Sequence, residues 1–259
     1  MSIVYMENKM IKKFLFAYLL IASNFANAFL VQGFDVSKSW ENAQLYVPSN
    51  FLVKNINNVK VDSPLPVVIF LHGCGGINDH ETRWASFLKS KNFIVVLPNS
   101  FAIPNRQTNC TSTLPNRMIW RVPVDELRPA EAEYALSKIK ELEWADKNNI
   151  FLMGFSEGGM AAHNVKEDGF AGIIMSGFPC ALRNPIKSHF TTPTLVLNWK
   201  IDPDFIRNDG SYQQCSDKPY WQWRTHSTEI LLEGKGHFNA HEPKARDAVL
   251  NFLLENKNN

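Results

Sequence analysis

From Pro66 onward the chain alternates short, unbroken apolar runs with longer amphipathic ones, and this pattern constrains the fold more than any other feature. Val67-Val68-Ile69-Phe70-Leu71 contains no polar residue, so a strand there is buried on both faces, as in a parallel sheet covered by helices. Phe93–Leu97, Ile150–Met153, Ala171–Met175, Thr194–Leu197 and Glu229–Leu232 repeat the signal, which predicts at least six strands. Trp84, Phe87 and Leu88 stand at helical spacing within Glu81–Lys89 and predict a crossover helix between the first two strands. Glu126–Trp144 carries Ala130, Tyr134, Ala135, Ile139 and Leu142 on one stripe and predicts the longest helix, while Ala245–Leu254 predicts a closing one. The expected class is α/β: a mostly parallel sheet with helices on both faces. Leu45-Tyr46-Val47 and Leu52-Val53 read as weaker strands near the N-terminal edge, where an antiparallel hairpin would fit.

A chain of 259 residues, 45% apolar and 20% charged, suffices for one sizeable core, and no linker-like stretch or fixed-period repeat divides it. Residues 1–28 read as an export signal and 29–259 as a single domain. Lys12 and Lys13 precede the apolar run Phe14–Ala22, and Ala26-Asn27-Ala28 is a small-x-small cleavage site. Met10-Ile11-Lys12-Lys13 opens a more typical signal than Met1 does. The run is too short for a membrane anchor, and no cysteine follows it to carry a lipid. The expected location is therefore outside the cytoplasm, periplasmic or secreted. Removing the signal takes 27 basic and 25 acidic residues to 24 of each, which leaves no footprint for nucleic acid or an anionic membrane. Cys74, Cys110, Cys180 and Cys215 all lie in the remainder; none has Cys-x-x-Cys spacing, so disulfides are favoured over a metal site. Composition is silent on oligomeric state.

Gly154-Phe155-Ser156-Glu157-Gly158 follows one predicted strand and precedes the helical run Met160-Ala161-Ala162, the context required of a nucleophile elbow. The turn is so tight that side chains at its glycines would clash, and the serine is forced into an exposed, strained conformation. Read more plainly, Ser156 would be an ordinary helix N-cap. His72-Gly73-Cys74-Gly75-Gly76 follows Val67–Leu71, where backbone N–H groups can hold a developing oxyanion; the expected donors are Glu157, next after the nucleophile, and Cys74. A general base belongs after the last strand, where Gly234-Lys235-Gly236-His237-Phe238 supplies His237. His241, four residues on, could pair with it on a metal, but Asn239 and Pro243 disfavour the helix that such a pair needs, and the expected metal count is none. The orienting acid should follow Thr194–Leu197, which gives Asp202, with Asp204 two residues beyond it behind Pro203. Trp199, Trp221 and Arg121 are the candidate substrate contacts; the two tryptophans could equally cover the core, and Arg121 could simply pair with Asp125 or Glu126. The order Ser156, Asp202, His237 is that of the α/β-hydrolases and differs from those of the chymotrypsin and subtilisin folds.

Together with Leu97-Pro98-Asn99-Ser100-Phe101, Arg121 with Glu126-Leu127, and Leu152–Met160, these motifs resemble the dienelactone hydrolase family and its exported relatives over about residues 65–240. The resemblance implies a single-domain α/β-hydrolase acting on small-molecule esters or lactones without a metal or organic cofactor. The named dienelactone hydrolases carry cysteine as nucleophile where this chain has Ser156. In the hydrolase sheet the loops bearing Cys74 and Cys110, and those bearing Cys180 and Cys215, follow neighbouring strands, so these are the expected disulfides. The leading expectation is a serine carboxylesterase. A peptidase related to the prolyl oligopeptidases lacks room here for a gating domain, and a non-catalytic binding protein would have little reason to keep all three residues.

Overall fold

The computed structural model describes residues 30–31, 33–48, 56–106, 110, 114–178, 185–204 and 214–258, with the side chains of residues 30, 57 and 114–123 outside that description. The proposed signal, the strand expected at Leu52-Val53 and Cys180 therefore lie outside the described residues. A small ribbon of β1 (Leu30–Val31) and β2 (Phe34–Asp35) leads through the short helix α1 (Ser37–Glu41) into β3 (Gln44–Tyr46). Then follow β4 (Leu65–Leu71), α2 (Asp79–Ser90), β5 (Ile94–Leu97), α3 (Leu114–Lys140), β6 (Ala145–Phe155), α4 (Glu157–Asn164), β7 (Gly172–Ser176), β8 (Thr194–Ile201), β9 (Ser227–Lys235) and α5 (Pro243–Glu255).

Seven strands form one sheet in the order β3-β5-β4-β6-β7-β8-β9, parallel throughout except for β3, which runs antiparallel to β5 at the edge. Leu45 and Tyr46 thus are a strand as expected, but their described partner is β5, with Leu45 opposite Val96. The alternation of side chains along β4 splits the core. Val67, Ile69 and Leu71 face the α3 and α4 side with Ala135, Ile139 and Ala161. Val68 and Phe70 face the α2 and α5 side with Trp84, Leu88 and Val249. Helices on both faces bury the central strands, which is why runs such as Val67–Leu71 in β4 carry no polar residue.

Several boundaries differ from expectation, and two of the differences bear on the site. The longest helix begins at Leu114, twelve residues before Glu126, and contains Pro123 and Pro129. Each proline removes an intrahelical hydrogen bond, so periodicity is a poor guide to where this helix starts. β8 runs on to Ile201 rather than stopping at Leu197, which brings Asp202 directly to the strand end.

Candidate active site

Because the strands are parallel, their C-terminal ends share one edge, and the candidate nucleophile, base, acid and oxyanion donors all follow such ends. Phe155 ends β6 and Glu157 starts α4, leaving Ser156 alone in the turn at φ 54°, ψ −114°, a conformation strained for any residue with a side chain. Two glycines make the turn possible. A Cβ on Gly154 would lie 2.0 Å from the Gly158 carbonyl oxygen, and one on Gly158 would lie 2.1 Å from that of Leu71. Ser156 makes no side-chain capping bond, so it is not an ordinary N-cap. Its backbone N–H donates to the Ser176 carbonyl at 2.9 Å and ties the elbow to β7.

The loop after β4 passes beside the elbow: the Gly73 Cβ position is 3.5 Å from the Ser156 Cβ. This loop is braced three ways. The Glu81 carboxylate accepts from the backbone N–H groups of Gly73 and Asn78, each at 3.1 Å. His72, fully buried, accepts from the Ser100 N–H at Nε2 (3.1 Å) and donates from Nδ1 to the Gly73 carbonyl (2.6 Å). Burial, with Arg128 nearby, holds its pKa well below the usual histidine range, so it is a neutral structural imidazole. The third brace is covalent: a disulfide joins Cys74 to Cys110, as expected. Cys215 is buried and disulfide-bonded.

Glu157, whose N–H is an expected oxyanion donor, turns its carboxylate inward to two buried arginines. Arg106 makes a hydrogen-bonded ion pair with it, and Arg128 Nε lies 3.4 Å away. Arg128 also pairs with Glu131 and donates to the His72 carbonyl at 2.6 Å, while Arg106 Nε donates to Ser100 Oγ at 3.0 Å. Burial pushes Glu131 above the ordinary carboxylate range. None of these four charged residues stands in a recognisable motif with its partner, and sequence reading missed Arg106, Arg128 and Glu131. The one local signal was the helical i, i+3 spacing of Arg128 and Glu131.

Asp202 follows β8 and His237 follows β9, and Asp202 Oδ2 lies 2.8 Å from His237 Nδ1. The aspartate is 1% exposed and the histidine 9%. The histidine loop is clamped by its neighbours. Gly236 N–H donates to Ile201, Trp199 Nε1 donates to the Phe238 carbonyl at 3.2 Å, and buried Asn239 bridges Trp84 in α2 to Ser176 at the end of β7. Asn239 is a fourth residue whose part in the site motif reading overlooked. His80, against Phe155 and Phe238, has its pKa lowered to about 3 by burial and by the nearby His237 and His241, and stays neutral.

The expected substrate contacts fare differently. Trp199 is 8% exposed and lies beneath Gly236, where a Cβ would meet its ring at 2.7 Å. It supports the histidine loop, since its indole N–H donates to that loop's backbone. Trp221, in a 3₁₀ turn at Pro219–Trp223, packs partly buried against the core. The Arg121 side chain is outside the described residues. Asp204, beyond Pro203, is 61% exposed, and its Oδ2 reaches to 3.5 Å from His237 Nε2. Asp202, Asp204 and His237 each place a ligand atom within 4.8 Å of the others, so they, not His241, form the metal-compatible group among the described residues. His241 instead meets Glu242 at 3.1 Å.

No protein-family model matches the chain, and no curated protein matches it. Solved structures do share its fold. Esterase PE8 superposes with a TM-score of 0.54 at 18% identity, covering 75% of this chain and 94% of that one. Est1E from Butyrivibrio proteoclasticus gives 0.52 at 14% identity over 83% and 93%. A dienelactone hydrolase-like promiscuous phosphotriesterase from metagenomic libraries gives 0.56 at 15% identity over 75% and 88%.

Proposed function

We propose, for a chain with the α/β-hydrolase fold that esterases and dienelactone hydrolase-like proteins share, a serine hydrolase of small carboxylic esters or lactones. The observation that carries this reading is the pairing of a strained serine elbow with a buried aspartate–histidine couple at the same sheet edge. Ser156 attacks the acyl carbon while His237 takes its proton. Asp202 holds the proton of His237 on Nδ1, which leaves Nε2 free to act as base. The N–H groups of Glu157 and Cys74 receive the oxyanion, the alcohol leaves with the proton from His237, and water releases the acyl group from Ser156. No step calls for a metal or an organic cofactor.

Export belongs to the same proposal. Among the described residues no helix is long and apolar enough to cross a membrane, and the Cys74–Cys110 disulfide suits an oxidising compartment. Cleavage after Ala28 would be seen as Ala28 missing from the N-terminus of exported protein.

Labelling tests the nucleophile directly. A fluorophosphonate should modify Ser156 stoichiometrically, and Ser156→Ala should lose both labelling and ester turnover while keeping its melting temperature. Undiminished turnover by the variant would refute the reading.

A further inference from the structure

His237 lies between two carboxylates that differ in kind. Asp202 meets Nδ1 from the protein interior, whereas Asp204 meets Nε2 from the solvent side. Asp204 is not there by accident of a floppy loop. Pro203 restricts the backbone before it, and its own N–H donates to Asp202 Oδ1 at 3.0 Å, so its main chain is tied to the buried acid. Several other charges of the chain are paired, while exposed Lys235 stands opposite Ile201 at the end of β9. Glu157 has Arg106 and Arg128, Lys200 has Glu233 at 2.7 Å, and His241 has Glu242. Among the described residues no lysine or arginine neutralises Asp204.

Nε2 is the nitrogen that must hand its proton to the departing oxygen or sulfur of an ester. That atom therefore comes within hydrogen-bond reach of Nε2, about 3 Å, and so within roughly 6 to 7 Å of Asp204 Oδ2. A carboxylate at that range attracts a cationic leaving group and repels an anionic one. Resting on the esterase reading above, the geometry points to Asp204 as a selector of leaving-group charge, favouring substrates whose alcohol or thiol portion is cationic over those whose leaving portion is an anion. Asp204 does this by its charge alone, without taking part in proton transfer. The acyl portion is not addressed by it.

Three thioacetates of nearly equal size test this: the trimethylammonioethyl, the neutral 3,3-dimethylbutyl and the anionic 2-sulfoethyl thioester, assayed with a chelator present so that no divalent cation masks the carboxylates. The wild-type protein should rank them cation over neutral over anion in kcat/KM. Asp204→Asn should shrink the cation-to-anion ratio about tenfold; the ratio is the readout, because removing a carboxylate 3.5 Å from Nε2 also slows all three thioesters by a common factor. Asp204→Glu should restore the preference, and Asp204→Ser serves if the asparagine variant folds poorly. Raising the ionic strength to about 0.5 M should weaken the wild-type preference, because an exposed charge is screened. An unchanged ratio in both neutral variants overturns the inference. So does a collapse of all three rates together by several hundredfold, which would make Asp204 the orienting acid. Failure of the esterase reading itself looks different: the wild-type protein would hydrolyse none of the three, and Ser156 would resist the fluorophosphonate.

Discussion

At Asp202 the consequence of one atom is large. Its Oδ2 accepts from Nδ1 of His237, and an asparagine can present an N–H there instead, which favours the tautomer whose Nε2 already carries the proton. Asp202→Asn should retain the fold and lose about 10⁴-fold in kcat on an activated ester, by analogy with serine proteases; a thermal melt run beside the assay separates this from unfolding. Gly158 is the opposite case, in which sterics rather than charge decide. A methyl group there would stand 2.1 Å from a backbone oxygen of β4, which no rotamer change can relieve. Gly158→Ala should cost about 3 kcal/mol or more in chemical denaturation, and any soluble remainder should fail to label at Ser156.

Between elements, the site is held by ties that span the sheet edge. The disulfide links the loop after β4 to the segment following Arg106, and Arg106 in turn grips the first residue of α4. The two expected oxyanion donors therefore belong to one braced unit. Arg106→Gln should leave Glu157 with a buried charge only partly matched by Arg128 at 3.4 Å. A loss of one to two orders of magnitude in kcat with little change in KM is expected, and Arg106→Lys should recover part of it. Cleaving the disulfide releases a loop whose ends are 36 residues apart. The Cys74→Ser, Cys110→Ser double variant should lose up to about 4 kcal/mol of stability by the chain-entropy argument, measured by urea unfolding without reductant.

For the molecule as a whole, buried histidines set the response to acid. The folded protein holds His80 at about 3, below the ordinary 6.5, and His72 lower than ordinary as well. An unfolded chain binds protons at these rings between those values while the folded one does not. Their contribution is thus complete above pH 6.5 and is lost as the pH falls toward 3. Glu81 and Glu131, raised by burial, act with the opposite sign just above the ordinary carboxylate range. Comparison with a variant isolates the histidine part: between pH 7.5 and 4.5 the melting temperature of His80→Phe should fall less than that of the wild-type protein. Parallel decline of the two curves would show that His80 is not a source of acid lability.

How much of this was legible beforehand depends on the range over which each feature is encoded. Runs such as Val67–Leu71 and Ile150–Met153 announce buried strands within five residues, because a strand buried on both faces has no place for a polar side chain. The elbow and the order Ser156, Asp202, His237 were readable for the same reason, each following a recognisable strand end, while the Cys74–Cys110 pair followed from the sheet order that the hydrolase resemblance implies. The start of α3 was not, since prolines inside a helix break the local signal while tertiary packing still keeps the helix. Nor were the partnerships among polar residues. Arg106 finds Glu157 51 positions away, and Asn239 finds Trp84 across 155. Sequence alone determined which apolar runs become buried strands and which residues follow them, because apolar periodicity is local. Only the tertiary structure decided which buried charges neutralise one another, that Trp199 supports the histidine loop, and that Asp204 faces Nε2, because a polar group takes as partner whatever the fold brings within hydrogen-bond reach.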